Sequence, residues 1–321
     1  MRVLAASVVA VSILMTGCAT SFQKSVDPQV LAKQQNLLQQ AEAAHEKHDS
    51  AEAIKYLEQA SAEGSGKASY KLGEIFIQGQ NGQQDKKKAF QYFSKADEQG
   101  NVDGTINAAW FTMYGIGTDK NEDQGVDLME KAAKVDPRAQ REVGLFNANL
   151  RHPFLNSDRQ GFKYLQKATD GGDGEAPYYL SVLAKRTEKA DIYSKALKVA
   201  ADRGQPKALL ELGRQALANN QFMIARDLFE KSAFANDSEA MFEMGKGIHA
   251  GVFPPTINSA AKNVEAYAWL NGAASMRHLQ AIDLQKEIAK ETALTPEISK
   301  QIQDVGLQLQ KQINPWNPNK N

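Results

Sequence analysis

Residues 89–104 run Ala89-Phe90-Gln91-Tyr92-Phe93-Ser94-Lys95-Ala96-Asp97-Glu98-Gln99-Gly100-Asn101-Val102-Asp103-Gly104. Bulky and small side chains alternate here at helical spacing, so one face of a helix packs closely against a neighbour. Gly100 stops that helix, and a new one starts within a few residues. The same ending recurs along the chain. Helices close at Gly64, Gly100, Asp136, Gly172, Gly204, Asn236 and Arg277, in steps of 36, 36, 36, 32, 32 and 41 residues. A period of this size specifies an array of small helical units in place of one large core.

Each repeat pairs a helix A with a helix B. Helix A carries small-x-x-x-Leu-Gly: Ala68…Leu72-Gly73, Ala139…Val143-Gly144, Ala208…Leu212-Gly213 and Ala240…Met244-Gly245. The second and fourth repeats have Gly104…Ala108-Ala109 and Ala176…Leu180-Ser181 at these positions. A glycine inside a helix costs about 1 kcal/mol against alanine, so its use predicts a close approach by helix B. Helix B reads Val126-x-Leu128-Met129-x-x-Ala132, Phe162-x-Tyr164-Leu165-x-x-Ala168, Ile192-Tyr193-x-x-Ala196, Ala225-x-x-Leu228-Phe229-x-x-Ser232 and Ala266-Tyr267-x-Trp269-Leu270-x-x-Ala273 in the later copies.

These residues resemble the Sel-one-like repeat family, a relative of the tetratricopeptide repeats. Gly79 and Gly115-x-Gly117 stand where that family has its A–B loop glycines, and Asn101-Val102-Asp103-Gly104 matches its inter-repeat turn. The resemblance implies an all-α fold, a right-handed α-solenoid of helix-turn-helix repeats forming an α-α superhelix. It covers six repeats over 65–277, of which the fourth and fifth are short and lack the loop glycines. A tetratricopeptide-like hairpin is expected over 30–64, two capping helices over 278–313, and a flexible tail over 314–321. Thr295-Pro296-Glu297 marks the start of the last helix, with Thr as N-cap and Pro at the first helical position.

The amino terminus has its own logic. Arg2 precedes an apolar stretch from Val3 to Met15, too short to span a bilayer permanently. It ends in Met15-Thr16-Gly17-Cys18, which resembles a bacterial lipobox. Residues 1–17 are therefore expected to be a lipoprotein signal peptide, Cys18 the acylated residue and 18–29 a lipidated flexible tether. Cys18 is the single cysteine of the chain. A lone thiol invites intermolecular pairing in an oxidising compartment, and acylation would consume it. Ala19 follows, where an Asp would favour inner-membrane retention in lipoproteins of this type. The expected location is the periplasmic face of the outer membrane of a Gram-negative bacterium, with periplasmic or outer-membrane proteins as partners.

Little else in the chain points to chemistry. Lys+Arg and Asp+Glu both number 38, which gives no basic stripe for nucleic acid. His45 and His48 sit three apart but lack a third ligand nearby. Neither a nucleophile motif nor a phosphate-cradling loop is present. No enzyme activity, cofactor or metal is expected.

What remains is surface. In tetratricopeptide-like solenoids a concave groove is lined by helix A positions. Carried over by the Leu-Gly register, that groove would present Ile106, Trp110, Met113, Tyr114, Arg138, Arg141, Glu175, Tyr178, Lys207, Arg214, Phe242 and Lys246. Aromatics beside arginine make a binding hot spot; the alternative is that Trp110, Tyr114 and Tyr178 pack between repeats. Two functions follow from the surface: a scaffold for protein partners in envelope assembly or export, or a polysaccharide- or peptidoglycan-binding lipoprotein whose aromatics stack on sugars.

Overall fold

The computed structural model describes residues 27–80, 82, 84–255, 257 and 261–318. The expected signal peptide and Cys18 lie outside these, as does most of the tether. Among the described residues there are sixteen helices and no strand. None of the helices is long and apolar enough to cross a membrane.

The chain forms two compact bodies, divided between Gly104 and Thr105. In the first, α1 (Pro28–Glu46) and α2 (Ser50–Ala62) form the N-terminal hairpin, and α3 (Gly66–Gln78) and α4 (Lys86–Glu98) the first repeat. In this body each helix packs on the next. His48 lies beyond α1 in a left-handed turn with φ 60°, so it does not share a helix with His45.

The second body takes in most of α5 (Val102–Tyr114) and continues with α6 (Glu122–Ala132), α7 (Pro137–Asn147), α8 (Asp158–Asp170), α9 (Ala176–Arg186) and α10 (Ala190–Asp202). It goes on through α11 (Pro206–Ala218), α12 (Phe222–Phe234), α13 (Ser238–His249) and α14 (Lys262–Ser275). The two closing helices are α15 (Leu279–Glu291) and α16 (Pro296–Gln310). Thr295 caps α16 as its sequence predicts, its hydroxyl accepting from the Ile298 N–H at 3.3 Å.

The expected close approach of the two helices is present in both bodies. A Cβ on Gly73 would lie 2.5 Å from the Phe93 ring, and one on Gly213 would lie 2.6 Å from the Phe229 ring. For Gly245 the obstacle is Leu270 at 2.7 Å, and for Gly144 it is Leu165 at 2.8 Å. Counted back seven residues from each turn, Leu57, Phe93, Met129, Leu165, Leu197, Phe229 and Leu270 are all buried. Three residues further on, Ala60, Ala96, Ala132, Ala168, Ala200, Ser232 and Ala273 are buried as well. This register corrects the alignment of the fourth helix B. Leu197 and Ala200 take the positions expected for Tyr193 and Ala196, because the turn residue Gly204 stands seven residues after Leu197, as the turn does in the sibling repeats.

The turns correct one further reading. Gly64, Gly100, Gly172, Gly204, Asn236 and Arg277 all have φ between 65° and 90°, the left-handed geometry that ends a helix. Asp136 does not. It is the N-cap of α7, its carboxylate accepting from the N–H groups of Arg138 and Ala139 at 2.8 and 3.3 Å. Residues 133–135 make that turn without a left-handed residue.

The carboxy terminus also differs from expectation. Residues 314–318 are not a free tail but lie across the ends of α10 and α12, with the Asn314 N–H donating to Phe234 O at 2.7 Å.

Gly213→Val drives a branched side chain into the Phe229 ring, and overpacking of that kind costs about 1–3 kcal/mol. Gly306→Ala in α16 meets nothing within 4 Å and gains up to about 1 kcal/mol in helix propensity. Urea unfolding followed by circular dichroism should move in opposite directions for the two variants. A Gly213→Val midpoint equal to that of the wild type would show that the close approach is dispensable.

Candidate functional site

All the predicted groove residues lie in the second body, on its A helices or the turns that lead into them. The structure sorts them by exposure and partner. Trp110 and Tyr114, four apart on α5, stack with their rings 5.6 Å apart and 6° from parallel. Trp110 also meets the Phe146 ring of α7 edge-on at 5.7 Å. Tyr114 is 50% exposed, while Trp110 and Ile106 are half-buried. Half of this aromatic pair thus packs between repeats and half faces outward.

Met113 and Phe242 do not belong to an open groove. Met113 is 1% exposed, and its side chain fills the space left by Gly125 on α6. Phe242 is 8% exposed, stacked on the His278 imidazole at 4.7 Å with Lys246 Nζ 5.6 Å from its ring. Both occupy helix A positions that the register puts on the inner side. Once the adjacent helices are in place, those positions lie against a neighbour.

The arginines also have a different role from the one expected. Arg141 keeps only 15% of its side chain exposed, and it pairs with Asp173 at 2.7 Å, Glu175 at 3.0 Å and Glu142 at 3.1 Å. Asp173 in turn accepts from the Glu175 and Ala176 N–H groups at 3.0 and 2.7 Å, capping the start of α9. Arg214 on α11 bonds to Glu239 and to Glu243 on α13, the latter at 3.1 Å. Arg138 reaches back to its own cap, Asp136, at 2.7 Å.

From α7 onward a ladder of charges therefore joins one A helix to the next. Arg141 ties α7 to the start of α9, and Lys185 on α9 meets Glu211 on α11 at 2.6 Å. Arg214 ties α11 to α13, and Glu239 on α13 accepts from His278, the residue before α15, at 3.0 Å. The rungs Lys185–Glu211 and Glu239–His278 had no sequence signal, because the partners are 26 and 39 residues apart.

Tyr178 belongs to a cluster with Tyr193, Leu197, Ala200 and Ala208. Burial, with Glu211 adding, raises the Tyr178 phenol above its ordinary value. Tyr193 is pushed up to about 12 by burial and by its hydrogen bond to Glu211 at 3.0 Å. Both phenols stay neutral donors at physiological pH. Of the remaining predicted residues, Glu175 is half-buried, whereas Lys207 and Lys246 are exposed. No cluster of His, Cys, Asp or Glu able to hold a metal occurs among the described residues.

The ladder makes the second body acid-sensitive. The Lys185 and Tyr193 hydrogen bonds hold Glu211 below its ordinary value of 4.5. Burial works against Glu239, but His278 and Arg214 outweigh it and hold that carboxyl low as well. A carboxylate depressed in the folded state stabilises it fully above the ordinary value, and this stabilisation is lost as pH falls through the folded value. Thermal midpoints should therefore fall more steeply below about pH 4.5 for the wild type than for Glu211→Gln/Glu239→Gln. Equal slopes would show that these rungs do not titrate with unfolding.

The Sel1 repeat family model matches residues 44–65, 66–101, 103–136 and 137–173. A curated relative, the chitin synthase regulator SKT5 of Saccharomyces cerevisiae, is 28% identical over 137 residues. That match takes in 40% of this chain and 20% of SKT5, so the chain spans about a fifth of its relative's length. Among solved structures, a Sel1 repeat protein from Oxalobacter formigenes superposes with a TM-score of 0.63 at 18% identity, over 74% of this chain and 99% of that one. The c5321 protective antigen of uropathogenic Escherichia coli, which displays an SLR fold, gives a TM-score of 0.46 at 17% identity, over 87% and 69%. Residues 44–173 thus carry four Sel1 repeats, and the helix pairs of α9 to α14 continue the same small-against-large packing and left-handed turns past residue 173, where the family model stops.

Proposed function

We propose that the protein is a non-enzymatic scaffold, anchored by lipid on Cys18 to the periplasmic face of the outer membrane, that binds protein partners through the A helices of its second body in envelope assembly or export. Arrays of Sel1 and tetratricopeptide-like repeats typically serve as protein–protein interaction scaffolds, which supports the coarser part of this reading. The observation that carries the placing of the partner on the A helices is the half-exposed Tyr114 ring stacked on Trp110, and the anchor rests on the Met15-Thr16-Gly17-Cys18 sequence. Most of the cations on these helices are paired with carboxylates, so an aromatic platform is the strongest anchor left for a partner.

The same pair favours a second reading. A half-exposed ring braced from behind by Trp110 suits stacking against the apolar face of a sugar, and the ligand would then be peptidoglycan or another envelope polysaccharide.

Cys18→Ser should stop incorporation of labelled palmitate and release the protein from membranes; label entering the variant would overturn the anchor. Tyr114→Ala removes a half-exposed ring and should leave helical content unchanged. A photo-cross-linker at position 114 should form partner adducts, whereas one at exposed Lys163 on α8 should not. Equal adducts at both positions would remove the case for the A-helix face. Pelleting with purified sacculi that disappears in Tyr114→Ala would instead establish the carbohydrate reading.

A further inference from the structure

The B helices leave their last carbonyls without partners inside the helix, as all helices do. Elsewhere a side chain supplies the missing donor. Gln34 Nε2 donates to Glu63 O at 2.6 Å and Gln99 Nε2 to Ser61 O at 2.8 Å, both at the end of α2. Gln140 Nε2 donates to Ala133 O at 3.0 Å after α6, and Arg203 donates to Thr169 O and Asp173 O around the end of α8. At α10 and α12 the donors come from the carboxy-terminal segment. Trp316 Nε1–H reaches Arg203 O at 2.9 Å, and the Asn314 N–H reaches Phe234 O at 2.7 Å.

The surface beneath this segment is shaped for it. The indole lies over Gly204, 3.6 Å from where a Cβ would stand, and Gly174 sits directly beneath the Pro318 carbonyl, which a Cβ there would strike. Pro315 and Pro318 bracket the tryptophan and hold the segment extended. The segment nevertheless fills its seat poorly. Beside it a cavity of about 990 Å³ opens between α10, α11 and α12, lined by Ala201, Leu209, Leu212, Leu228 and Trp316. Leu212 is the motif leucine of the fifth repeat. Its counterparts Leu72, Val143, Leu180 and Met244 are buried, whereas Leu212 is only half-buried.

We propose that residues 314–318 act as an intramolecular strap over a polypeptide-binding groove, and that the groove's other occupant is an extended partner segment of like chemistry, a tryptophan bracketed by prolines. Such a segment offers the same two donors to the open ends of α10 and α12. By placing an apolar side chain in the cavity it also gains what the strap lacks. The strap holds the groove closed because it is tethered at an effective concentration on the order of 1 mM. This proposal rests on the reading of the protein as a polypeptide-binding scaffold, and it concerns a groove separate from the Tyr114 platform.

The test uses the full chain and a fluorescent peptide of residues 313–321, with affinity read by anisotropy. Asn314→Pro/Trp316→Ala removes the backbone donor and the indole of the strap. The peptide should bind this variant ten- to a hundredfold more tightly than it binds the wild type, as competition from a tethered segment requires. Trp316→Ala alone, which keeps the Asn314 contact, should give an intermediate gain. A peptide with Ala in place of Trp316 should lose binding to the opened protein. Equal affinity for wild type and variants, no binding to the opened protein, or equal binding of the Ala peptide would each overturn the proposal. None of those results bears on cross-linking at position 114, so the scaffold reading stands or falls separately.

Discussion

The contact between a residue without a side chain on helix A and a large one on helix B sets the dimensions of the first, third, fifth and sixth repeats. In the second the roles reverse, with Gly125 of helix B admitting Met113 of helix A. Gly73 against Phe93 in the first body and Gly213 against Phe229 in the second leave no room for even one added methyl group. With the backbones this close, the large residue is fully enclosed within a single hairpin, so each repeat carries its own small core. The left-handed residue seven positions later then follows from the same geometry. Helix B must stop where its last turn clears helix A, and the chain must reverse within two or three residues to begin the next repeat. Arg277 occupies that position at φ 65°, and glycine there would relieve the strain a side chain brings.

Joining one hairpin to the next is a separate problem, and along the A helices of the second body charge takes part in solving it. The chain has as many acidic as basic residues, and many of these charges pair between neighbours. Exposed rungs such as Lys185–Glu211 add little stability, of order 0–1 kcal/mol. Arg141 is different: its partner Asp173 is buried, so removing the guanidinium strands that carboxylate, at a cost of about 3–5 kcal/mol. Charges paired in this way fix the register of adjacent helices more than they strengthen the fold, since a one-turn slip would break every rung.

The features legible in the sequence were those that repeat. Spacing alone gave the hairpins, the close-approach glycines, most of the turns and the Thr295 cap. Features set by a neighbouring repeat were not legible. Phe242 occupies a helical position that looks outward in an isolated hairpin and is covered by His278 from beyond it, whereas Met113 is covered by its own helix B, where Gly125 leaves it room. Arg141 read as a free cation because Asp173 is 32 residues away. Asp136 was misread because a carboxylate suits both a helix end and a helix start, and the choice depends on backbone angles. The tail carried no periodic signal at all. It read as a flexible end, although its prolines are what keeps a docked segment straight.

The fourth and fifth repeats depart furthest from the common pattern. Eleven residues before the turn, the other repeats and the N-terminal hairpin have Ala53, Ala89, Gly125, Gly161, Ala225 and Ala266, but the fourth repeat has Tyr193. A phenol in a position meant for a methyl group cannot lie between the helices, and its hydroxyl reaches across to Glu211 and Gln215 on α11 instead. Beside this substitution the fifth-repeat leucine loses its cover, the cavity opens, and the carboxy terminus comes to rest. Proteins break their own local rules mainly where function asks for it. In an array whose other repeats obey a common rule so closely, the short repeats mark where the molecule has stopped being only a scaffold for itself.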